Sequence, residues 1–160
     1  MNLIYIDQPL GTGFSDPSIP ISEMLTNEDQ IKHELYTVII KFLDLYPEFK
    51  GRDFYILGES YAGHYIPHLG NYIFHQKNPD LPLKGLAMGN SMPNPWVQFE
   101  SIPKYALEHG MIDVQKYQEY TKGFQHCENM MKYGQSGGFM TCMVLMSQML
   151  VKITPEGQVK

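Results

Sequence analysis

Ser60 stands in the run Gly58-Glu59-Ser60-Tyr61-Ala62-Gly63, directly behind Phe54-Tyr55-Ile56-Leu57, a short apolar, β-prone stretch. A serine among small residues where a strand turns into a helix fits a nucleophile elbow. The turn lifts the hydroxyl clear of the sheet, and the small neighbours let two backbones pack closely. Glycine lies two before the serine; Ala62 takes the usual place of the second glycine, and Gly63 follows it. The chemistry would be attack of the Ser60 hydroxyl on a carbonyl carbon, with the Tyr61 backbone N–H as one oxyanion-hole donor. The same residues also suit a plain turn in which Ser60 caps a helix.

His64 lies four residues after Ser60 on the same expected helix, which is the wrong place for a general base. In elbow enzymes the order is Ser, Asp, His, and the base arrives on a loop after a later strand. His64 is therefore expected to pack under the turn. His68, His75, His109 and His126 have no acidic partner at useful spacing and read as surface residues. Glu59 needs a reason, because a carboxylate beside a nucleophile repels a developing oxyanion; the plain alternative is a surface glutamate.

The elements that must hold Ser60 follow from hydrophobic patterning. Leu3, Ile4, Tyr5 and Ile6 read as a strand buried on both faces of a parallel sheet, with Asp7 at its carboxyl end. Gln8 to Ser22, rich in Gly, Pro and Ser, is a loop. Thr26 with Asp29 fits a capping box, and Ile31, Leu35, Val38, Ile39, Phe42 and Leu45 recur at helical spacing up to Tyr46, before Pro47. The strand Phe54 to Leu57 is followed by a helix from the Ser60 turn to about Gln76, bent but not ended by Pro67, and a third strand runs from Leu83 to Met88. Strand, helix, strand, helix, strand imposes an α/β architecture: a parallel sheet with right-handed crossover helices. Asp7, Ser60 and Asn90 then fall at carboxyl strand ends, where such sheets carry function. Further helices are expected over Gln98 to Leu107, with Gly110 as C-cap, and over Val114 to Gln125, with Asp113 as N-cap. The Met-rich, Gly-interrupted remainder, with an apolar run from Phe139 to Leu150, reads as a partly ordered tail.

The ten residues Gly58 to Pro67, GESYAGHYIP, resemble the nucleophile segment of the serine carboxypeptidases. Three other stretches are similar to that family in the same order: NLIYIDQPLGTGFS at Asn2 to Ser15, LKGLAMGNSMPNP at Leu83 to Pro95, and YALEHGMID at Tyr105 to Asp113. The resemblance implies a partial α/β-hydrolase fold, truncated at both ends, with residues 1–127 as core and 128–160 as the start of a helical insertion. It implies Ser60 as nucleophile, Tyr61 as oxyanion-hole donor and Glu59 as reader of the substrate's C-terminal carboxylate. In the family the matching glutamate pairs with a second acid, and the two share a proton while binding that anion. The family's Gly-Gly-Pro-Gly segment and its triad Asp and His have no match here, so the chain is expected to be a fragment. The implied activity is release of C-terminal residues from peptides in a vacuole, a lysosome or outside the cell. A carboxypeptidase-like acyltransferase and a non-catalytic or truncated product are the alternatives.

Composition agrees with a packed module. Hydrophobic residues make up 43% and aromatics 12% of the 160 residues, enough to bury a core. A net charge of −5 leaves no basic stripe for nucleic acid or an anionic membrane, so the expected partner is a small substrate, which the family resemblance implies to be a peptide or protein C-terminus. No cofactor or metal is expected: two cysteines and scattered histidines supply no zinc-binding spacing. Cys127 and Cys142 could bridge each other, remain thiols or pair elsewhere; the likeness of FQHCENM to the family's cysteine-bearing turn favours a partner outside this sequence. The 160-residue chain alone is expected to release C-terminal amino acids at least about 10³-fold more slowly than a complete enzyme, since its serine would lack a base. Ser60-dependent amino-acid release by the isolated chain within about 10³-fold of a complete enzyme's rate would contradict this.

Overall fold

A computed structural model of the chain describes residues 1–15, 18, 20, 25–135 and 137–153. These form two compact units, Met1–Pro93 and Asn94–Lys160.

The first unit contains α1 (Glu28–Leu45), a 3-10 turn at Pro47–Phe49, β1 (Phe54–Glu59), α2 (Ala62–Gln76) and β2 (Leu83–Gly89). β1 and β2 pair in parallel, from Phe54 opposite Leu83 to Glu59 opposite Gly89, and α2 is the crossover between them. Ile31, Leu35, Ile39 and Leu43 of α1 pack with Leu69 and Ile73 of α2 and with Leu81. Phe54 and Ile56 of β1 join that core, whereas Tyr55 and Leu57 point the other way and stay exposed. Strand alternation therefore turns one face of the pair toward the helices and leaves the other open.

Several expectations fail here for identifiable reasons. Leu3 to Ile6 is no strand: the run has no ladder partner among the described residues, and Leu3, Ile4 and Tyr5 are exposed. The sheet thus has two strands instead of three. Asn27, not Thr26, caps α1. Its backbone is extended (φ −153°) and its side chain accepts from Gln30 N–H, while Gln30 Oε1 reaches back to Thr26 N–H at 2.9 Å. Val38 and Leu45 lie outside the buried stripe, which Leu43 completes. Residues 16, 17, 19, 21 and 22 of the expected Gln8 to Ser22 loop lie outside the described residues; its start turns at a cis Gln8–Pro9 peptide.

The second unit is α3 (Pro95–Glu108), α4 (Val114–Lys132) and α5 (Gly138–Ile153). α3 begins three residues before the expected Gln98 because Pro95, which needs no N–H partner, occupies its first turn. Its C-cap is His109, with Gly110 one residue beyond. Asp113 caps α4, accepting from Lys116 N–H at 2.7 Å, and α4 runs on past Gln125. The expected partly ordered tail is α5 over its apolar run; residues 154–160 lie outside the described residues. Phe99 and Phe124 stack with centroids 5.8 Å apart, and Cys127 bonds Cys142, both fully buried, with Cα atoms 5.5 Å apart. The cysteine partner is thus internal: α5 folds back along α4 and brings Cys142 to Cys127, a pairing that the resemblance of one turn had no means to reveal. With its cysteines 15 positions apart in sequence, the bridge contributes about 3 kcal/mol by restricting the unfolded chain. Replacing both cysteines by alanine should lower the urea midpoint of residues 94–160 accordingly; an unchanged midpoint would show that the bridge adds nothing.

Candidate active site

The turn after β1 is built around a strained serine. Ser60 has φ +58°, the left-handed region that residues with a Cβ rarely enter. Its N–H donates to Gly89 O at 3.1 Å, which extends the pairing with β2 one residue past the strand. Its carbonyl accepts from Gly63 N–H and from Met92 N–H, both at 3.1 Å. Ser60 is thus fixed by backbone contacts to two segments, while its side chain stays exposed.

Small residues make this geometry possible. A Cβ on Gly63 would lie 2.6 Å from Met92 N and 2.8 Å from Pro93 N, backbone atoms that cannot swing aside. A Cβ on Gly58 would meet the Ala62 methyl at 2.6 Å and Ile66 Cδ1 at 2.9 Å. The spacing that singled out Ser60 is therefore a record of close backbone approach.

Tyr61 follows with an ordinary right-handed backbone (φ −63°, ψ −16°) and leads into α2. His64 packs its ring against Tyr61 with centroids 4.8 Å apart, beside the turn as expected. His68, His75 and His109 each direct Nδ1 to the carbonyl four residues back. Among the described residues, no carboxylate or imidazole hydrogen-bonds the Ser60 hydroxyl, and no cluster of three or more His, Cys, Asp or Glu side chains is placed to hold a metal. Glu59 is exposed at the end of β1, on the open face with Tyr55 and Leu57, and has no ion-pair partner among the described residues. Asn90, at the end of β2, also has a left-handed backbone (φ +40°). Asp7 organises its own loop: Oδ2 accepts from Phe14 N–H at 2.8 Å, and its carbonyl accepts from the Ser15 hydroxyl at 2.7 Å.

One participant escaped the sequence reading. The Tyr61 hydroxyl donates to Glu28 Oε1 at 3.0 Å, across 33 residues. Burial, and then this bond to Glu28, push the Tyr61 phenol up to about 12. No local spacing links the first turn of α1 to the turn after β1, so only the folded chain reveals the pair.

A family profile described as serine carboxypeptidase matches residues 1–155. The chain belongs to the serine carboxypeptidase family. It is 38% identical over 145 residues to serine carboxypeptidase-like 47 of Arabidopsis thaliana, covering 88% of this chain and 28% of that protein. It is 40% identical over 136 residues to serine carboxypeptidase S10 family member 1 of Dictyostelium discoideum, covering 83% of this chain and 32% of that protein. The chain thus spans about a third of the length of these curated relatives. Among solved structures it is similar to Kex1(delta)p, a prohormone-processing carboxypeptidase from Saccharomyces cerevisiae. The TM-score is 0.77 at 25% identity, covering 96% of this chain and 36% of the yeast chain. The fold is accordingly a partial α/β-hydrolase fold.

A left-handed backbone disfavours every residue with a Cβ by about 1–2 kcal/mol. Ser60→Gly should therefore stabilise residues 1–93 by about 1 kcal/mol net of glycine's greater freedom when unfolded, and Ser60→Ala should not. Denaturant midpoints for the two variants test this; equal midpoints would mean that the turn is unstrained.

Proposed function

We propose that this chain carries the nucleophile portion of a serine-type carboxypeptidase that releases residues from peptide C-termini. The observation that carries the reading is Ser60 itself: an exposed hydroxyl on a strained, backbone-locked turn between a parallel strand and its crossover helix. Ser60 Oγ attacks the scissile carbonyl, a histidine elsewhere in the full-length enzyme takes its proton, and the Tyr61 N–H holds half of the oxyanion. Water then releases the acyl group. Glu59, one residue before the nucleophile, reads the substrate's terminal carboxylate together with a second acid in the full-length enzyme. Residues 128–160 open the family's helical insertion.

The Cys127–Cys142 bridge supports an oxidising compartment, a vacuole, a lysosome or the cell exterior. No helix among the described residues is long and apolar enough to cross a membrane. The 160 residues by themselves turn over peptide at least about 10³-fold more slowly, because the base is a histidine elsewhere in the full-length enzyme.

In the full-length enzyme, Ser60→Ala should lower kcat/KM for a blocked dipeptide by at least about 10⁴ and abolish labelling by a serine-directed phosphonate. Glu59→Gln should leave labelling nearly intact. It removes one of the two carboxyls proposed to read the terminal carboxylate, so it should lower kcat/KM for peptide acids. Peptide amides, which lack the carboxylate, should respond far less. An unchanged kcat/KM for the acid substrate would return Glu59 to the role of a surface residue.

A further inference from the structure

We propose that Glu28 is a positioning residue for the nucleophile turn: its carboxylate holds the Tyr61 phenol, and through it the Ser60–Tyr61 peptide whose N–H faces the oxyanion. This rests on the assignment of Ser60 and Tyr61 above and adds a residue to it.

The Tyr61 side chain is held at its tip and along its ring. The hydroxyl donates to Glu28 Oε1 at 3.0 Å, and the ring packs against His64 and Tyr65 with centroids 4.8 and 5.1 Å away. Glu28 is itself fixed, as the first residue of α1. Asn27 caps that helix through Gln30 N–H at 3.0 Å, and Gln30 Oε1 accepts from Thr26 N–H. The free N–H groups of a first helical turn favour a carboxylate there. Tyr61 keeps its proton, since its phenol is pushed up to about 12, and so remains a donor wherever a peptidase works.

The backbone explains why a side-chain anchor matters at this residue. Ser60 is left-handed at φ +58° and Tyr61 right-handed at φ −63°, so the peptide between them joins two opposed conformations. A shift of the Tyr61 Cα would carry its N–H out of line, because the nitrogen is bonded directly to that atom, and would move the tyrosine side chain as well. A phenol tethered to Glu28 opposes this motion. Loss of an oxyanion donor costs about 10²–10³ in kcat, and misaiming one costs a part of that.

The test is a set of variants in the full-length enzyme, assayed with a blocked dipeptide: Y61F, E28A, E28Q and the double variant E28A/Y61F. Y61F and E28A should each lower kcat about tenfold and leave KM within about twofold, because the N–H acts on the transition state. The double variant should be no worse than either single one, as both remove the same bond. E28Q keeps a carbonyl acceptor and should recover most of the loss. Unchanged kcat in Y61F and E28A, or losses that multiply in the double variant, would overturn the proposal. Should E28A not fold, Y61F and E28Q still decide, since they alter single atoms. Ser60→Ala separates the two readings. If it abolishes turnover while Y61F and E28A act like wild type, only the role of Glu28 falls. If it retains turnover, the assignment of Ser60 falls and this proposal with it.

Discussion

A serine with φ +58° must be held by its surroundings, because the conformation disfavours it by about 1–2 kcal/mol. The restraint comes almost wholly from the backbone. Ser60 N–H continues the parallel ladder to Gly89, and Ser60 O accepts from both Gly63 and Met92. Each net hydrogen bond contributes about 1 kcal/mol, so three suffice to offset the strain. They form only because Gly63 lets α2 reach the chain after β2, where any Cβ would strike backbone. The glycines are thus the condition for the serine.

That arrangement has a second requirement, a rigid pair of strands ending at the same level. β1 and β2 run parallel, so their carboxyl ends meet, and Glu59 opposes Gly89 one step before the turn. Packing of α1 and α2 on one face fixes the pair: Ile39 and Ile73 are almost fully buried, at 4% and 2% exposure. The opposite face carries Tyr55 and Leu57 into solvent, and with them, by alternation, Glu59. The same period of two that seats Ile56 in the core therefore turns the Glu59 carboxylate outward, beside Ser60.

What the sequence made legible was local. The turn at Ser60, the extent of α2, the strand Leu83 to Gly89 and the cap at Asp113 all follow from residues within a few positions of each other, where sterics and periodicity act directly. What it hid depended on partners. Leu3 to Ile6 has strand composition, but a strand exists only as one side of a ladder, and none forms among the described residues. Thr26 and Asn27 both carry a suitable oxygen; backbone conformation, not type, made Asn27 the cap. The Cys127–Cys142 bridge required the hairpin of α4 and α5, and composition alone made that segment look like a loose tail.

Glu28 shows the same division within the site. The turn declares itself as a short string because its strain is relieved by its own neighbour Gly63 and by backbone hydrogen bonds to Gly89 and Met92. Aiming the N–H of Tyr61 is a different problem, since three backbone hydrogen bonds fix Ser60 but none of them holds the tyrosine ring. A residue distant in sequence can do so only if its own position is rigid, which α1 provides through the Asn27 cap and the buried stripe Ile31, Leu35, Ile39 and Leu43. On the proposed reading, the core of the first unit and the aim of the Tyr61 N–H are one mechanical system. A change that loosens the first turn of α1 should reach the site without touching any group that touches substrate.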